Sequence, residues 1–263
     1  MFGLLVLALA LLSPGRPPDV NPTQSEKSEK EFAFYPGGRL EISVALPGNI
    51  RITGWPKAAI RVEAEKIVRS PDPSEAQNLL KQIALRITNA PATARISTAP
   101  QAPGAQTELH LVVYVPLQKT DLTIRMMQGD ISIASVNGSI EATLEAGNIE
   151  TKDLAGYFSG LTKAGDLNVD LAGRRWTGYG LSAMTRRGSV RVLVPADYSA
   201  VLQLETKQGQ IAIDFPDQLV DGEAVPLQPV ARKKTQSLNA PIGSGGTPVR
   251  LATLSGNISV QKK

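Results

Sequence analysis

Along most of this chain, apolar and polar residues alternate in short runs, and many of those runs begin at a glycine. Between residues 129 and 169 the sequence is GDISIASVNGSIEATLEAGNIETKDLAGYFSGLTKAGDLNV, with glycine at 129, 138, 147, 156 and 165. The same unit, glycine, a small polar residue and an alternating apolar run, recurs as GSVRV at 188, GQIAI at 209 and GNISV at 256. Alternation of period two is the pattern of a short strand with one buried face. Glycine before Asp, Asn or Ser supplies the positive φ of a tight corner. A hairpin register would not hold identical corners for five units, whereas a repeat stacks equivalent positions. The pattern therefore predicts an all-β fold, a right-handed parallel β-helix with two or three units per coil and like residues about 4.8 Å apart. Ile131, Ile133, Ile140, Ile149, Leu167 and Val169 would line its interior. Regular short strands also suit a β-sandwich or barrel, which is the alternative.

Four corners carry a threonine three residues before the glycine: TKAG at 162, TRRG at 185, TKQG at 206 and TLSG at 253. A β-branched residue suits a strand end, and its hydroxyl can bond a neighbouring backbone group there. The spacing widens after Gly165, to Gly188 and then Gly209, which reads as whole coils whose intermediate corner has lost its glycine. One stretch departs from the strand pattern. In SPDPSEAQNLLKQIALRIT, Asp72 can cap, Pro73 suits the first helical position and Glu75 lies three beyond the cap. A short α-helix is expected near residues 73–86, with Ala76, Leu79, Leu80 and Ile83 on one face, covering an end of the stack.

Composition adds the setting. The chain has 263 residues, 42% of them hydrophobic and only 5% aromatic, so a sizeable core must be aliphatic. Residues 1–15, MFGLLVLALALLSPG, are uncharged with an apolar run from Phe2 to Leu12, too short to span a bilayer comfortably and suited to a signal peptide or N-terminal anchor. Residues 16–30 then read as a polar linker and 31–263 as a single β-solenoid domain. Zero cysteines exclude disulfides, thiol chemistry and a lipid-modified cysteine. The expected location is exported: periplasmic, cell surface or secreted. There the net charge of +4 points to an anionic envelope polymer, glycan or protein partner rather than nucleic acid, with membrane contact only through an uncleaved N-terminal segment.

A reaction centre is not visible. Calcium-binding rolls also run on nine residues but need a Gly-Gly-x-Gly-x-Asp run that no unit has, so Asp130, Asn148, Asp166 and Asp170 read as solvated corner residues and no metal or cofactor is expected. The outward acids Asp130, Glu141, Glu150 and Asp170 are scattered, without a pair that spacing forces together. His110, in TELHLVVYVP, alternates with Leu109, Leu111, Val113 and Val115 and so points outward, alone. Trp55 is expected to pack at a coil end. The candidate ligand-binding residues are Arg174, Arg175, Trp176, Tyr179, Arg186 and Arg187, from GRRWTGYG and TRRGSV, because guanidinium groups beside planar rings suit anionic polymers or sugars. Stacking of one coil on the next would place the two arginine pairs about 5 Å apart on one face.

Over residues 32–262 the chain resembles the bacterial adhesin-like β-strand-repeat domains of unknown function, related to the Toastrack envelope domains. The resemblance rests on FYPGGRLEISVALPGNIRITGWPKAAIRVEAEK, the lone helix, TELHLVVYVP leading into Thr-x-x-Gly-polar-Ile repeats, and the closing TPVRLATLSGNISV. It departs at the MMQG corner at 126, which lacks the threonine, and in the polar stretch from Asp217 to Gly246. The resemblance implies an exported, non-enzymatic β-helix acting as an adhesin or binding module, or as an accessory sensor domain in envelope-stress signalling. A carbohydrate-active β-helix enzyme is the alternative from another class.

Overall fold

A computed structural model describes residues 23–100, 106–214, 218–220, 223–225, 227–232 and 234–263. The expected N-terminal apolar segment therefore lies outside the described residues. The chain opens with β1 (Thr23–Ala33), β2 (Arg39–Val44), β3 (Gly48–Trp55) and β4 (Ala59–Arg69), followed by α1 (Pro73–Gln82). After the helix come β5 (Leu85–Ala90), β6 (Thr93–Thr98), β7 (Thr107–Pro116) and the long β8 (Asp121–Ala134). The glycine-paced region forms β9 (Asn137–Ala146), β10 (Ile149–Lys152), β11 (Ala155–Ala164), β12 (Leu167–Asp170), β13 (Gly178–Arg187) and β14 (Val190–Val194). Next are β15 (Ala200–Gln208), β16 (Ile211–Asp214), β17 (Gln218–Val220), β18 (Glu223–Val225) and β19 (Val230–Arg232). β20 (Thr235–Ile242), β21 (Pro248–Ser255) and β22 (Ile258–Lys262) close the chain. Among the described residues the fold is all-β with one short helix.

Two long ladders share the strands. In the first, β3, β8, β10, β12, β14, β22 and β16 run parallel in that order, and β7 lies parallel outside β3. In the second, β6, β2, β8, β9, β11, β13, β21 and β15 run parallel. β8 serves both ladders, with residues 121–128 in the second and 129–134 in the first. Ile131 pairs with Ile149 and Ile149 with Leu167, eighteen residues on each time. The nine-residue beat is therefore half a layer, and each layer gives one strand to each ladder. Inward positions of both ladders meet in one aliphatic core; Ile131, Ile133, Ile140, Ile149 and Leu167 are 0% exposed and Val169 3%.

Layers do not follow the sequence at either end. β2 and β3 sit between β6/β7 and β8, while β21 and β22 sit between β13/β14 and β15/β16. The expected spacing from Gly188 to Gly209 is corrected accordingly: Gly209 stacks on Gly256, which stacks on Gly188. Between Gly165 and Gly188 the intermediate corner has kept its glycine, since Gly178 stacks on Gly156; the extra length lies in the loop around Trp176 and in the bulge at Tyr179.

The ends are finished differently. At the first, β4 pairs antiparallel with β7 and β1 antiparallel with β4, so residues 23–30 are strand where a linker was expected. β1 is exposed along nearly its whole length and reads TQSEKSEKEFA, a charged edge that discourages pairing with other chains. α1 ends four residues earlier than expected and packs on β4 and β1 through Ala76 and Leu80. Asp72 accepts from Ser74 N at 2.8 Å, while Glu75 receives the Ser70 hydroxyl at 2.6 Å instead of closing a capping box. At the other end, β20 pairs antiparallel with β15 and β19 with β20.

Candidate functional site

The corners explain why the beat is kept. At Gly147, with φ 131°, a Cβ would lie 1.8 Å from the Gly129 carbonyl oxygen of the layer beneath. At Gly209 no positive φ is involved, yet a Cβ would stand 1.9 Å from Gly256 O. Close approach of backbone to backbone, more than φ alone, imposes glycine here. Each Thr hydroxyl then donates to a glycine carbonyl of the adjacent layer: Thr162 to Gly147 at 3.1 Å, Thr185 to Gly165, Thr253 to Gly188 and Thr206 to Gly256, each at 2.9 Å. The residue after each glycine completes the corner. Asn49 Oδ1 accepts from Asp130 N at 3.1 Å, Asp130 from Asn148 N, Asn148 from Asp166 N and Asp166 from Ser189 N at 2.7–2.9 Å. The corner acids are thus backbone acceptors that fix register, and among the described residues no group of three or more His, Asp or Glu could hold a metal ion.

The arginine and aromatic residues singled out from the sequence divide into two places. Arg174 and Arg175 lie on the loop that enters β13. Arg174 is 86% exposed and its Nε meets Asp197 Oδ2 at 2.9 Å, while the backbone of Arg175 bridges to Ser199. Trp176, expected to face a ligand, is buried at 5% exposure and donates its indole N–H to Gly156 O at 2.9 Å. It anchors the loop in the second glycine column, as threonines do in the first. Tyr179 is thrown outward: Gly156 pairs with Gly178 and Tyr157 with Gly180, leaving Tyr179 in a bulge between two positive-φ glycines, 89% exposed. Tyr157, on the neighbouring strand, is 37% exposed and was not singled out from the sequence.

Arg186 and Arg187 end the same strand. Arg187 is eight residues from Tyr179, roughly 26 Å along an extended strand, so the two pairs do not stack into one patch. The expectation failed because Arg174 and Arg175 belong to the corner entering β13 and Arg186 and Arg187 to the corner leaving it. Thr185 and Arg187 pair with Thr162 and Ala164, which sets Arg186 level with Lys163, itself bonded to Glu145 at 2.6 Å.

The outer face of the first ladder carries a shallow groove of about 470 Å³ that includes Ser132, Glu150, Lys152, Asn168, Asp170 and Arg191. These polar residues fall in two rows because Ser132, Glu150, Asn168 and Arg191 share one register position and Ala134, Lys152, Asp170 and Leu193 another. Eighteen-residue spacing links Ser132, Glu150 and Asn168, and Ala134, Lys152 and Asp170, but not Arg191 and Leu193, which lie 23 residues further on. His110 is half-buried, with Nε2 3.3 Å from Glu108, whose other oxygen bonds Arg69; that guanidinium holds the Glu108 carboxyl below its ordinary range. Trp55 donates to Ala59 O at 2.7 Å and packs 5.5 Å from the Tyr114 ring, with Lys57 and Arg61 over its face.

Neither a protein-family model nor a curated protein matches this chain. Among solved structures, a candidate cell adhesion protein from Clostridium sporogenes is 11% identical, covering 90% of this chain and 100% of its own, with a TM-score of 0.44. A candidate adhesin from Bacteroides fragilis is 10% identical over 90% of this chain and 97% of its own, with a TM-score of 0.31. A candidate lipid-binding protein from Parabacteroides distasonis is 14% identical over 90% and 96%, with a TM-score of 0.27.

Proposed function

We propose that this chain is a non-enzymatic binding module of the cell envelope, a right-handed parallel β-helix that holds out an aromatic and basic knob to an anionic glycan. The stacked glycine columns and the two strands per eighteen-residue layer support the β-helix over a sandwich, since sandwiches are built of antiparallel sheets. The observation that carries the binding role is Tyr179. A tyrosine 89% exposed, bulged between two glycines and joined to a loop bearing Arg174 and Arg175, exposes apolar ring surface at a cost that a bound sugar ring would offset. Arg175 makes no side-chain ion pair among the described residues, and Arg174 has only an exposed one. Arg186 and Arg187, with Lys163, form a separate basic corner. The module works from outside the cytoplasm as an adhesin or as an accessory envelope sensor; the two readings require the same exposed surface.

The test is binding of the purified chain to immobilised uronate-containing polysaccharide at low salt. Tyr179→Ala and a double change of Arg174 and Arg175 to Ser are each expected to weaken binding at least tenfold with an unchanged melting temperature. Loss of binding only on changing Arg186 and Arg187 would move the site to the other corner, and equal binding by all variants would end the proposal. The carbohydrate-active reading draws on one feature, the groove with Glu150, Lys152, Asp170 and Arg191. Release of reducing ends from any glycan by the wild type, abolished by Glu150→Gln, would establish it in place of the binding module.

A further inference from the structure

The last layer of the stack is made from the end of the chain but does not lie at the end of the molecule. β21 pairs in parallel with β13 on one side and β15 on the other, and β22 with β14 and β16. Val249, Leu251, Thr253, Ile258 and Val260 are buried, so the segment completes the core. Its backbone serves both walls of the slot. Gly188 and Val190 donate to Ser255 and Asn257, and Gly256 and Ile258 donate to Gln208 and Gln210, each at 2.9 Å. The walls are distant in sequence: Ile258 faces Val190 and Ile211. The layer is joined to the preceding sequence through the loop from Gly243 to Thr247, in which Gly243, Gly245 and Gly246 all take positive φ.

Three features follow together from these facts. The slot exists only once the walls, both made from earlier sequence, have folded. The segment that fills it follows both walls in sequence and hangs on a glycine-rich hinge. The bonds that seat it, glycine over glycine, threonine hydroxyl to glycine carbonyl and side-chain oxygen to backbone N–H, recur at other corners of the stack, so the slot recognises a pattern and not a covalent connection. We infer that residues 247–263 form an exchangeable layer, which fills its own slot in an isolated chain and the same slot of a second copy when two chains fold near each other, clasping them as a dimer. Closure within one chain is favoured by the high effective concentration of a short hinge, so exchange depends on chain concentration during folding and persists afterwards because both walls must open to release the layer.

The chain has no cysteine, which makes the crossing easy to trap. Arg191 and Ser259 pair across the slot wall and lie opposite the core-facing positions. Neighbouring parallel strands stand about 4.8 Å apart, within reach of a disulfide. A tagged Arg191→Cys chain and an untagged Ser259→Cys chain are unfolded, mixed and refolded together at low and at high micromolar concentration, then oxidised. A disulfide-linked heterodimer is expected, increasing at least fivefold from the dilute to the concentrated refolding and absent when the two proteins are mixed after folding. A second measurement needs no substitution: a fluorescent peptide of residues 247–263, present while the wild-type chain refolds, is retained in excess of a scrambled peptide. A heterodimer yield equal to that from chains mixed after folding, or peptide retention equal to that of the scrambled control, overturns the inference.

Discussion

At the scale of single residues, the corner glycines are held by contact. Gly147→Val and Gly165→Val each place a branched side chain where a Cβ alone would be 1.8 Å and 2.0 Å from a carbonyl oxygen of the next layer. Positive φ costs about 1–3 kcal/mol for such a residue, and the overlap adds to it, so each variant should lose at least ~3 kcal/mol in denaturant melts. Losses under ~1 kcal/mol would show that the columns relax freely. Thr151 offers the opposite case. Its hydroxyl is buried without a partner in a register column whose neighbours are Ile133 and Val169. Thr151→Val keeps the shape and removes an unsatisfied group, so stability should stay level or increase by up to about 1–2 kcal/mol. A clear loss would mean the hydroxyl is satisfied in solution. The glycines were legible in the sequence as corners and the fixed period as stacking, but which glycine lies on which was not, because a single corner does not name its neighbour.

Among the elements, β1 depends on charge more than on packing. Its pairing with β4 carries Lys66 to Glu26 at 2.8 Å, Lys27 to Glu65 at 3.6 Å and Arg61 to Glu31 at 3.0 Å, while its side chains are almost all exposed. The hydrogen bond from Arg61 holds the Glu31 carboxyl below its ordinary range. A depressed carboxylate contributes above its unfolded pKa, near 4.5, and loses that contribution as pH falls through its lower folded value. β1 should therefore loosen before the rest of the fold as the medium is acidified below about pH 4.5, and at high salt, because exposed pairs are screened. Amide exchange in β1 that stayed as slow at pH 3.5 as in neutral solution, after correction for intrinsic rates, would contradict this. This strand was not legible in the sequence. TQSEKSEKEFA has no apolar alternation, since of its side chains only Phe32 packs against the core, and only its partner β4 reveals it.

For the whole molecule, what was legible and what was not have one cause. Most layers are written with the same glycine, polar residue and alternating apolar run, and this repetition announces the architecture. It also hides the order, because any layer can stack on any other as far as the pattern goes, and nothing local tells β22 to lie between β14 and β16. The arginine pairs were misjudged for a related reason: their separation in sequence suited one layer, but they occupy opposite ends of β13. The interleaved order has a mechanical consequence. Simple repeat stacks fray layer by layer from their ends, with stability close to a sum over neighbours. Here β2 and β3 are covered by β6 and β7, and the late strands β21 and β22 are covered by β15 and β16, so apart from the edge strand β1 the stack cannot peel away in sequence order. Unfolding should be a single cooperative transition, with near-ultraviolet and far-ultraviolet circular dichroism tracing one curve in guanidinium. Removing residues 247–263 should cost far more than one layer's share, because both walls of the slot lose their hydrogen bonds and β15, β16 and β20 lose their seat on the stack. A truncated chain that keeps a midpoint within about 0.5 M of the full chain would refute the interlock, as would full-chain transitions that separate by probe.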